Sequence, residues 1–307
     1  MARPPRNPLI GMRDGVSPSC VALPVGPWAT VLDFLTERLP TVSREDWAQR
    51  IAQGLVLDEC GHPLAAHNPF TPHTRLYYYR HITHEPVLPE AARIVFEDDH
   101  LVVADKPHFM PVTPGGRYLQ SCLLVQLKRL TACESLTPIH RIDRETAGLV
   151  VFCKRAQDRD AYHALFRQHQ VHKWYQAVAS FKPDLLLPLV HLSRLVEGDK
   201  FFLSEEVPGE PNSETRVSML KRMGDEALYE LQPLTGHRHQ LRIHMMSLGV
   251  PIAGDQLYPQ VLRGPDEADD FSSPLQLLAQ RIAFTDPVTG EERDWQSQRL
   301  LRITNAH

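Results

Sequence analysis

The hydrophobic pattern of the first eighty residues changes from a helical period to a strand period. Apolar residues recur at helical spacing after Thr30 and again after Ser43, and both residue types cap helix N-termini, with Asp46 at capping-box distance from Ser43. Pro40 and Gly54 stand where helices stop. The pattern predicts helix, helix, strand, turn and strand, at 31–39, 43–54, 55–57, 58–61 and 76–79.

Strands dominate the pattern from residue 94 onward. Apolar runs at 94–96 and 101–104 flank a polar turn at 97–100, which predicts a hairpin. Residues 149–152 are continuously apolar, as in a strand buried on both faces. Because strands and helices do not alternate strictly, we predict an α+β fold with one large mixed sheet and helices against it. The remaining strands are predicted at 175–179, 227–231 and 281–284, and the helices at 161–168 and 240–248.

The chain is predicted to have three segments. Residues 1–20 are rich in proline, glycine and arginine without any period, which indicates a flexible arm. Residues 82–92 contain two prolines and no clear period, as expected of a linker. We therefore predict a flexible arm at 1–20, a small α/β module at 21–85 and a larger domain at 86–307.

Composition limits the possible partners and location. Hydrophobic residues make up 42% and charged residues 23% of the 307 residues, as in ordinary globular proteins. No apolar run approaches the ~20 residues of a membrane helix, so we expect no membrane partner. The five cysteines are dispersed without a CxxC pair, which argues against disulfides and structural zinc and favours a cytoplasmic location. The net charge of −4 argues mildly against nucleic acid, although basic residues can be concentrated locally.

The densest polar cluster is HRIDRETAG at 140–148. If this segment is extended, Arg141, Asp143 and Glu145 point to one face. The flanking cations Arg141 and Arg144 would hold the carboxylate of Asp143 ionised, which suits a nucleophile or a base. The same residues are equally compatible with a salt-bridged surface turn.

A second polar cluster is TGHRHQLRIH at 235–244. Its three histidines suggest a metal ion, but the run contains no carboxylate and no His-Glu-x-x-His pair, so we expect no metal. Arg238 and Arg242 are four residues apart and would share one face of a helix, which suits binding of a phosphate or a carboxylate.

Four stretches resemble the motifs of one family, in the family's order. They are IVFEDDHLVVADKP, HRIDRETAGLVVFCK, HKWYQAVA and LTGHRHQLRIHMMSLGVPIAGDQLY, and together they span about residues 94–290. The family is the RluA-type RNA pseudouridine synthases. The resemblance implies a largely antiparallel sheet, an RNA partner (transfer or ribosomal RNA) and isomerisation of a uridine by base flipping and aspartate attack, without a cofactor. We expect a monomer.

The resemblance implies roles for single residues. Asp143 matches the aspartate that attacks the nucleotide, Tyr175 the tyrosine that stacks on the flipped base, and Arg242 the arginine that pairs with the aspartate. These three are the predicted catalytic residues. The predicted substrate-binding residues are His140, Arg238, His239, Lys106, Lys173 and Arg141, of which the last matches an arginine thought to fill the gap left by the flipped base.

The sequence departs from the family pattern at a few positions. His237 stands where the family usually has arginine, Ala147 replaces a common serine, and His108-Phe109-Met110 replaces the usual Ala-Gly after Lys-Pro. None of these positions is a predicted catalytic residue. The departures therefore bear on the contacts with the substrate.

Two other functions are compatible with these residues. A non-catalytic RNA-binding protein would explain the RNA motifs, but it needs no combination of Asp143, Tyr175 and Arg242. A base-removing glycosidase uses two carboxylates, and Glu145 could be the second. Such an enzyme would release free uracil, whereas an isomerase keeps the base in its product.

The N-terminal stretch LDFLTERLPTVSREDWAQRIAQGLV resembles the RNA-binding module named after ribosomal protein S-four. The resemblance implies that Arg38, Arg44 and Arg50 meet RNA phosphates. The usual Val-Asn-Gly turn of that family is replaced here by Leu57-Asp58-Glu59. The alternative is a helical cap that packs on the next domain.

Overall fold

The computed structural model describes residues 7–80, 85–264, 267 and 270–302, which form two compact units. One unit comprises the described residues of Met1–Glu85 together with Pro114–Gln120. The other comprises those of Pro86–Thr113 and Ser121–His307. Residues 82–84 of the predicted linker and residues 1–6 of the predicted arm lie outside the described residues.

The smaller unit packs two helices against a three-stranded antiparallel sheet with the order β1-β3-β2. Its elements are β1 (Ser19–Ala22), α1 (Val31–Arg38), α2 (Arg44–Ala52), β2 (Val56–Leu57) and β3 (Arg75–Tyr78). The predicted caps are confirmed, because Thr30 forms a capping box with Asp33 and the Ser43 hydroxyl accepts from the Asp46 N–H. The predicted order of helix, helix, strand, turn and strand is confirmed as well.

The prediction of a flexible arm at 1–20 does not hold for residues 7–20. Residues 19–22 form the edge strand β1, which pairs with β3. Ile10 is buried in a small apolar cluster with Tyr77 and Tyr79, and the Tyr79 hydroxyl donates to the Gly11 carbonyl at 2.7 Å. A single large apolar residue and an edge strand are enough to fix a segment whose composition shows no period.

In the larger unit, the described residues form an eleven-stranded sheet. Its main path runs β10-β9-β11-β12-β8-β13-β7-β5-β4, while β14 pairs with β13 and β6 pairs with β7. The pair β7–β13 is parallel and the others are antiparallel, as the mixed, largely antiparallel prediction requires. The strands are β4 (Arg93–Glu97), β5 (Leu101–Lys106), β6 (Thr137–Pro138), β7 (Ala147–Cys153), β8 (His172–Ser180), β9 (Leu189–Glu197), β10 (Ser204–Val207), β11 (Ser213–Met223), β12 (Glu226–Pro233), β13 (Leu277–Thr285) and β14 (Glu292–Gln296).

Three helices cover the two faces of this sheet. They are α3 (Leu123–Thr131), α4 (Arg159–Arg167) and α5 (Gln240–Ser247). Along β7, Leu149 and Val151 pack in the cluster that contains α4, whereas Val150 and Phe152 pack in the cluster that contains α3. The strand is therefore buried on both faces, as its continuous apolar run predicted. No helix in the described part of the chain is long and apolar enough to cross a membrane.

The hydrophobic pattern does not predict strands β9 to β11 or helix α3. In β9, Val190 and Leu192 are apolar and exposed while Ser193 is buried, so the usual relation between polarity and burial is reversed there. Pairing with β11 holds this strand in place, and such pairing involves residues far apart in the sequence.

We predict that Gly148→Ala strongly destabilises the larger unit. Gly148 has φ +113°, and a Cβ atom there would lie 2.3 Å from the Ala279 carbonyl oxygen on the paired strand β13. Strain and overpacking together should lower the free energy of unfolding by about 2–5 kcal/mol, measured by urea denaturation.

Gly290→Ala is the matched control. Gly290 also has a positive φ, +76°, but no atom lies within 4 Å of its added Cβ. Backbone strain should lower the free energy of unfolding of this variant by only about 1–2 kcal/mol. Equal losses in the two variants would contradict the close approach of β7 to β13.

Candidate active site

Asp143 lies in an irregular loop that leads into β7. The Thr146 N–H donates to the Asp143 carbonyl at 3.2 Å, so the segment turns and is not extended as the sequence pattern allowed. The Lys106 ammonium, at the end of β5, donates to the Arg144 carbonyl at 3.0 Å. These contacts attach the backbone of the loop to the sheet on which it stands.

A buried arginine faces this loop from α5. Arg242 is 1% exposed, and its Nε and Nη2 donate to the two carboxylate oxygens of Asp255 at 2.8 and 2.6 Å. Asp255 also accepts from the backbone N–H groups of Leu257 and Tyr258. Burial alone would lower the pKa of Arg242, but the hydrogen bonds and the charge of Asp255 outweigh it and raise the pKa, so the guanidinium stays charged.

The remaining nitrogen of Arg242 is directed at two carboxylates of the loop. Nη1 lies 3.7 Å from Asp143 Oδ2 and 3.8 Å from Glu145 Oε2. It is buried and has no hydrogen-bond partner among the described residues. His239 Nε2 lies 4.0 Å from the other oxygen of Asp143. A buried donor without a partner is rare in proteins and is a site where a substrate or a charged intermediate can bind.

The structure places Arg242 against Asp143, a pairing that the pattern of the loop itself does not indicate. Arg141 is exposed to solvent, and the Arg144 Nε donates to Glu145 Oε1 at 2.9 Å. Burial tends to raise the pKa of Glu145, but the charges of Arg144 and Arg242 outweigh it and lower that pKa. The loop turns between Arg141 and Arg144 and presents Asp143 to Arg242. That Arg141 and Arg144 hold the Asp143 carboxylate ionised stays a prediction.

Tyr175 stands beside the same carboxylate on β8. In the sheet, Ala279 of β13 is paired with Tyr175 on one side and with Gly148 on the other. Tyr175 is half-buried, and burial together with the negative charge of Asp143 raises the pKa of its phenol. The ring is thus protonated at neutral pH and lies close enough to Asp143 to feel its charge. The structure brings the three predicted catalytic residues Asp143, Tyr175 and Arg242 together.

Lys106 does not have the substrate contact predicted for it. Its side chain is fully buried, and its ammonium donates to the carbonyls of Pro107 and Arg144, both at 3.0 Å. Burial lowers the pKa of Lys106 to about 7, while the charges of Glu145 and Asp143 act in the opposite direction. Lys106 therefore holds the backbone of the loop, and it has no exposed surface that could contact RNA.

Two other predicted substrate-binding residues are engaged within the protein. Lys173 donates to the Thr235 carbonyl at 3.0 Å, and burial lowers its pKa to about 8. His140 accepts from the Val151 N–H at 3.1 Å and stacks on Phe166, and burial lowers its pKa to about 3, with a smaller effect from Lys173. A contact of His140 or Lys173 with RNA stays a prediction.

The prediction that Arg238 and Arg242 share one basic face of a helix is also wrong. Helix α5 begins at Gln240, and the preceding His239 has the left-handed φ of 56°, so Arg238 lies outside the helix. Arg238 is exposed and donates to the Phe201 carbonyl at 2.6 Å, whereas Arg242 is buried. The left-handed turn separates the two side chains.

The residue that sequence reasoning missed is Asp255. A signal for it was present, because Gly254 and Asp255 belong to the stretch that matches the family's Pro-Ile-x-Gly-Asp. Nothing in the sequence shows that an aspartate thirteen residues after Arg242 forms a bidentate pair with it. Gly254 has φ +75°, and a Cβ there would lie 2.4 Å from the Pro274 carbonyl oxygen, so glycine is needed for the turn that presents Asp255.

Two groups in the described part of the chain place three metal-ligating side chains close together. They are Asp58, Cys60 and His62, and separately His191, Glu206 and His244. In the second group both nitrogens of His244 are bonded to hydroxyls, three in all, and His191 Nε2 is bonded to Glu206. Neither group includes a residue of the Asp143 site.

Comparison with known proteins identifies the family. The family described as RNA pseudouridylate synthase matches residues 100–247. An uncharacterized RNA pseudouridine synthase of Synechocystis is 30% identical over 235 residues, which cover 74% of this chain and 79% of that protein. The dual-specificity RNA pseudouridine synthase RluA of Haemophilus influenzae is 32% identical over 227 residues, which cover 68% of this chain and 94% of that protein.

A solved structure shows the same fold. Human RNA Pseudouridylate Synthase Domain Containing 1 superposes with a TM-score of 0.57 at 20% identity, over 70% of this chain and 86% of that one. The fold, the four ordered motifs and the two relatives agree. The chain belongs to the RluA-type family of RNA pseudouridine synthases, and it is an RNA-modifying isomerase.

We predict that Asp255→Asn lowers kcat about tenfold to a hundredfold, with little change in KM. The variant weakens the pair that orients Arg242, and small displacements of a catalytic group cost rate more than affinity. The measurement is tritium release from [5-³H]uridine-labelled RNA, because isomerisation replaces the hydrogen on carbon five by a bond to the sugar.

Asp294→Asn is the control for this prediction. Asp294 also accepts two hydrogen bonds from one arginine, Arg281, but both side chains are exposed. Its loss should leave kcat unchanged. Thermal melting must show that both variants fold, and equal kcat values in folded Asp255→Asn and Asp294→Asn would refute the orienting role.

Proposed function

We propose that the chain isomerises one specific uridine in structured RNA, with Asp143 as the attacking carboxylate. The observation that carries the proposal is the geometry at Asp143. Its carboxylate faces the buried Nη1 of Arg242 at 3.7 Å, while Tyr175 lies close enough for its pKa to respond to the charge of Asp143. The positive charge of the guanidinium attracts the carboxylate and helps to hold it in place.

The reaction needs the target base outside the RNA stack. Flipping a nucleotide costs a few kcal/mol, which stacking on an aromatic ring can offset. Tyr175 offers such a ring. In the proposed sequence Asp143 attacks the flipped nucleotide, the bond from the sugar to nitrogen one breaks, the uracil turns, and carbon five bonds to the sugar as Asp143 is released.

The hydrogen on carbon five leaves as a proton in the last step. The raised pKa of Tyr175 keeps its phenol protonated, so a second group must accept that proton. We propose the released carboxylate of Asp143, whose charge acts on Tyr175. Nitrogen one takes up a proton from solvent in place of its lost bond to the sugar, and Asp143 gives its proton to solvent. Atoms and electrons then balance without an oxidant, a reductant or added water.

The glycosidase alternative is not favoured by the state of Glu145. A second carboxylate that acts as an acid needs a raised pKa, as in glycosidases. The charges of Arg144 and Arg242 lower the pKa of Glu145 and keep it ionised. Glu145 is then a second anion that balances Arg242.

We expect Asp143→Asn to abolish tritium release while RNA still binds in a gel-shift assay. Asparagine keeps the shape of the side chain and removes its charge. Glu145→Gln is the matched control, since Glu145 lies at nearly the same distance from Arg242, and this variant should keep the isomerised product and release no uracil. Turnover by Asp143→Asn would refute the proposed attack.

The RNA class is proposed from the relatives. One relative is named dual-specificity RNA pseudouridine synthase RluA and another ribosomal large subunit pseudouridine synthase C. We propose ribosomal or transfer RNA as the substrate and hence the cytoplasm as the location, which fractionation of tagged chain would test. A pseudouridine map of total RNA, by carbodiimide labelling and primer extension, should lose one site in cells that carry only the Asp143→Asn variant.

We also propose that the N-terminal unit binds RNA. Arg38 is exposed in the last turn of α1, while Arg44 pairs with Asp33 at 2.9 Å and Arg50 lies over the Trp47 ring at 5.1 Å. Arg38 is thus the member of the predicted trio best placed to meet a phosphate. Arg38→Glu should weaken RNA affinity in the full chain without changing kcat, and unchanged affinity would refute the contact.

A further inference from the structure

An exposed aromatic ring stands on the loop between β9 and β10. Phe201 is 79% exposed, and every other phenylalanine or tryptophan in the described part of the chain is buried or half-buried. Its ring contacts Phe202 edge-on at 5.4 Å, which limits the directions it can take. An exposed phenyl ring offers a flat apolar face on which a planar partner can stack.

Hydrogen bonds tie this loop to Arg238 and to Tyr258. The Phe201 carbonyl accepts from Arg238 Nη1 at 2.6 Å. Three residues later, the backbone of Ser204 is held at both its groups by the Tyr258 hydroxyl, which accepts from the N–H at 2.9 Å and donates to the carbonyl at 3.0 Å. The loop is therefore fixed at its tip and at its end.

The same hydroxyl leads to the catalytic carboxylate. Tyr258 is hydrogen-bonded to His239 Nδ1 at 2.9 Å, and His239 Nε2 lies 4.0 Å from Asp143. Tyr258 also packs against the guanidinium of Arg242, at 5.4 Å from the ring centre. A short chain of contacts thus links the loop that carries Phe201 to Asp143.

The charges around the loop are mixed. The exposed residues Asp199, Lys200 and Glu205 carry both signs of charge, so they form no basic patch for a phosphate. A nucleobase is neutral and can stack on a phenyl ring without needing a counter-charge. In RNA that an enzyme has opened, the unpaired bases beside the target are the ones free to stack.

From these observations we propose that Phe201 stacks on an unpaired base next to the target uridine and so contributes to the choice of RNA. The inference rests on the proposed function at Asp143. It adds a substrate contact that lies outside the family motifs and on a loop that the motifs do not cover. Tyr175 would stack on the flipped base itself, and Phe201 on one of its neighbours.

The experiment compares Phe201→Ala, Phe201→Trp and the control Leu186→Ala in the full chain. Leu186 is as exposed, at 84%, but lies on the segment between β8 and β9. Tritium release from [5-³H]uridine-labelled total RNA gives kcat and KM. Phe201→Ala should raise KM about tenfold, within the roughly 5- to 150-fold range that loss of one base–aromatic stack produces. Phe201→Trp should have the KM of the unsubstituted chain, and Leu186→Ala should leave both constants unchanged.

A second readout does not depend on turnover. The tryptophan of Phe201→Trp should lose fluorescence when an RNA hairpin with an all-uridine loop binds, beyond the change seen in the unsubstituted chain. Added salt should leave the ratio of KM values between Phe201→Ala and the unsubstituted chain nearly constant, because a stacked base carries no charge.

Each outcome decides the inference. The inference is overturned if Phe201→Ala and Leu186→Ala have the same KM. It is also overturned if Phe201→Ala changes the sedimentation of the chain, because Phe201 would then be a contact between two copies of the chain. Absence of tritium release from the unsubstituted chain would instead count against the proposed function, and quenching at position 201 would then still report a base contact.

Discussion

The buried pair of Arg242 and Asp255 is the interaction on which the candidate active site depends. A guanidinium with almost no exposed surface is tolerated only when a partner compensates its charge. Asp255 supplies that compensation with both oxygens, and it is itself fixed by two backbone N–H groups. Two edges of the guanidinium are thereby used, and the third is left to face Asp143 and Glu145. The site is therefore organised before any substrate arrives, which is how an enzyme stabilises charge that develops during a reaction.

The large sheet brings four separate stretches of sequence together in one site. Ala279 on β13 is paired with Gly148 on one side and with Tyr175 on the other, so the loop before β7 and the ring on β8 are neighbours across one strand. Helix α5 then brings Arg242 to the same place. The close approach at Gly148 leaves no room for a side chain between β7 and β13. Spacing between strands thus sets the distance between the groups that react.

The negative net charge is compatible with an RNA-modifying enzyme because part of the charge is paired inside the protein. Arg242 and Arg144 are paired with carboxylates of the site, so these charges cancel within the protein and do not report on the surface. Binding through bases needs fewer cations than binding through phosphates. The net charge of a whole chain says little about a partner that binds to one local surface.

The sequence by itself determined the capped helices of the N-terminal unit, the doubly buried strand β7, the family and the selection of Asp143, Tyr175 and Arg242. These features depend on local patterns or on motifs whose order survives in the sequence. Only the tertiary structure decided which cation meets Asp143, that Lys106 is a buried support, that Arg238 lies away from Arg242, and that Asp255 completes the site. The physical reason is that charge pairing depends on distance in space. A turn at 143–146 and a left-handed residue at His239 redirect side chains in ways that spacing along the chain does not encode.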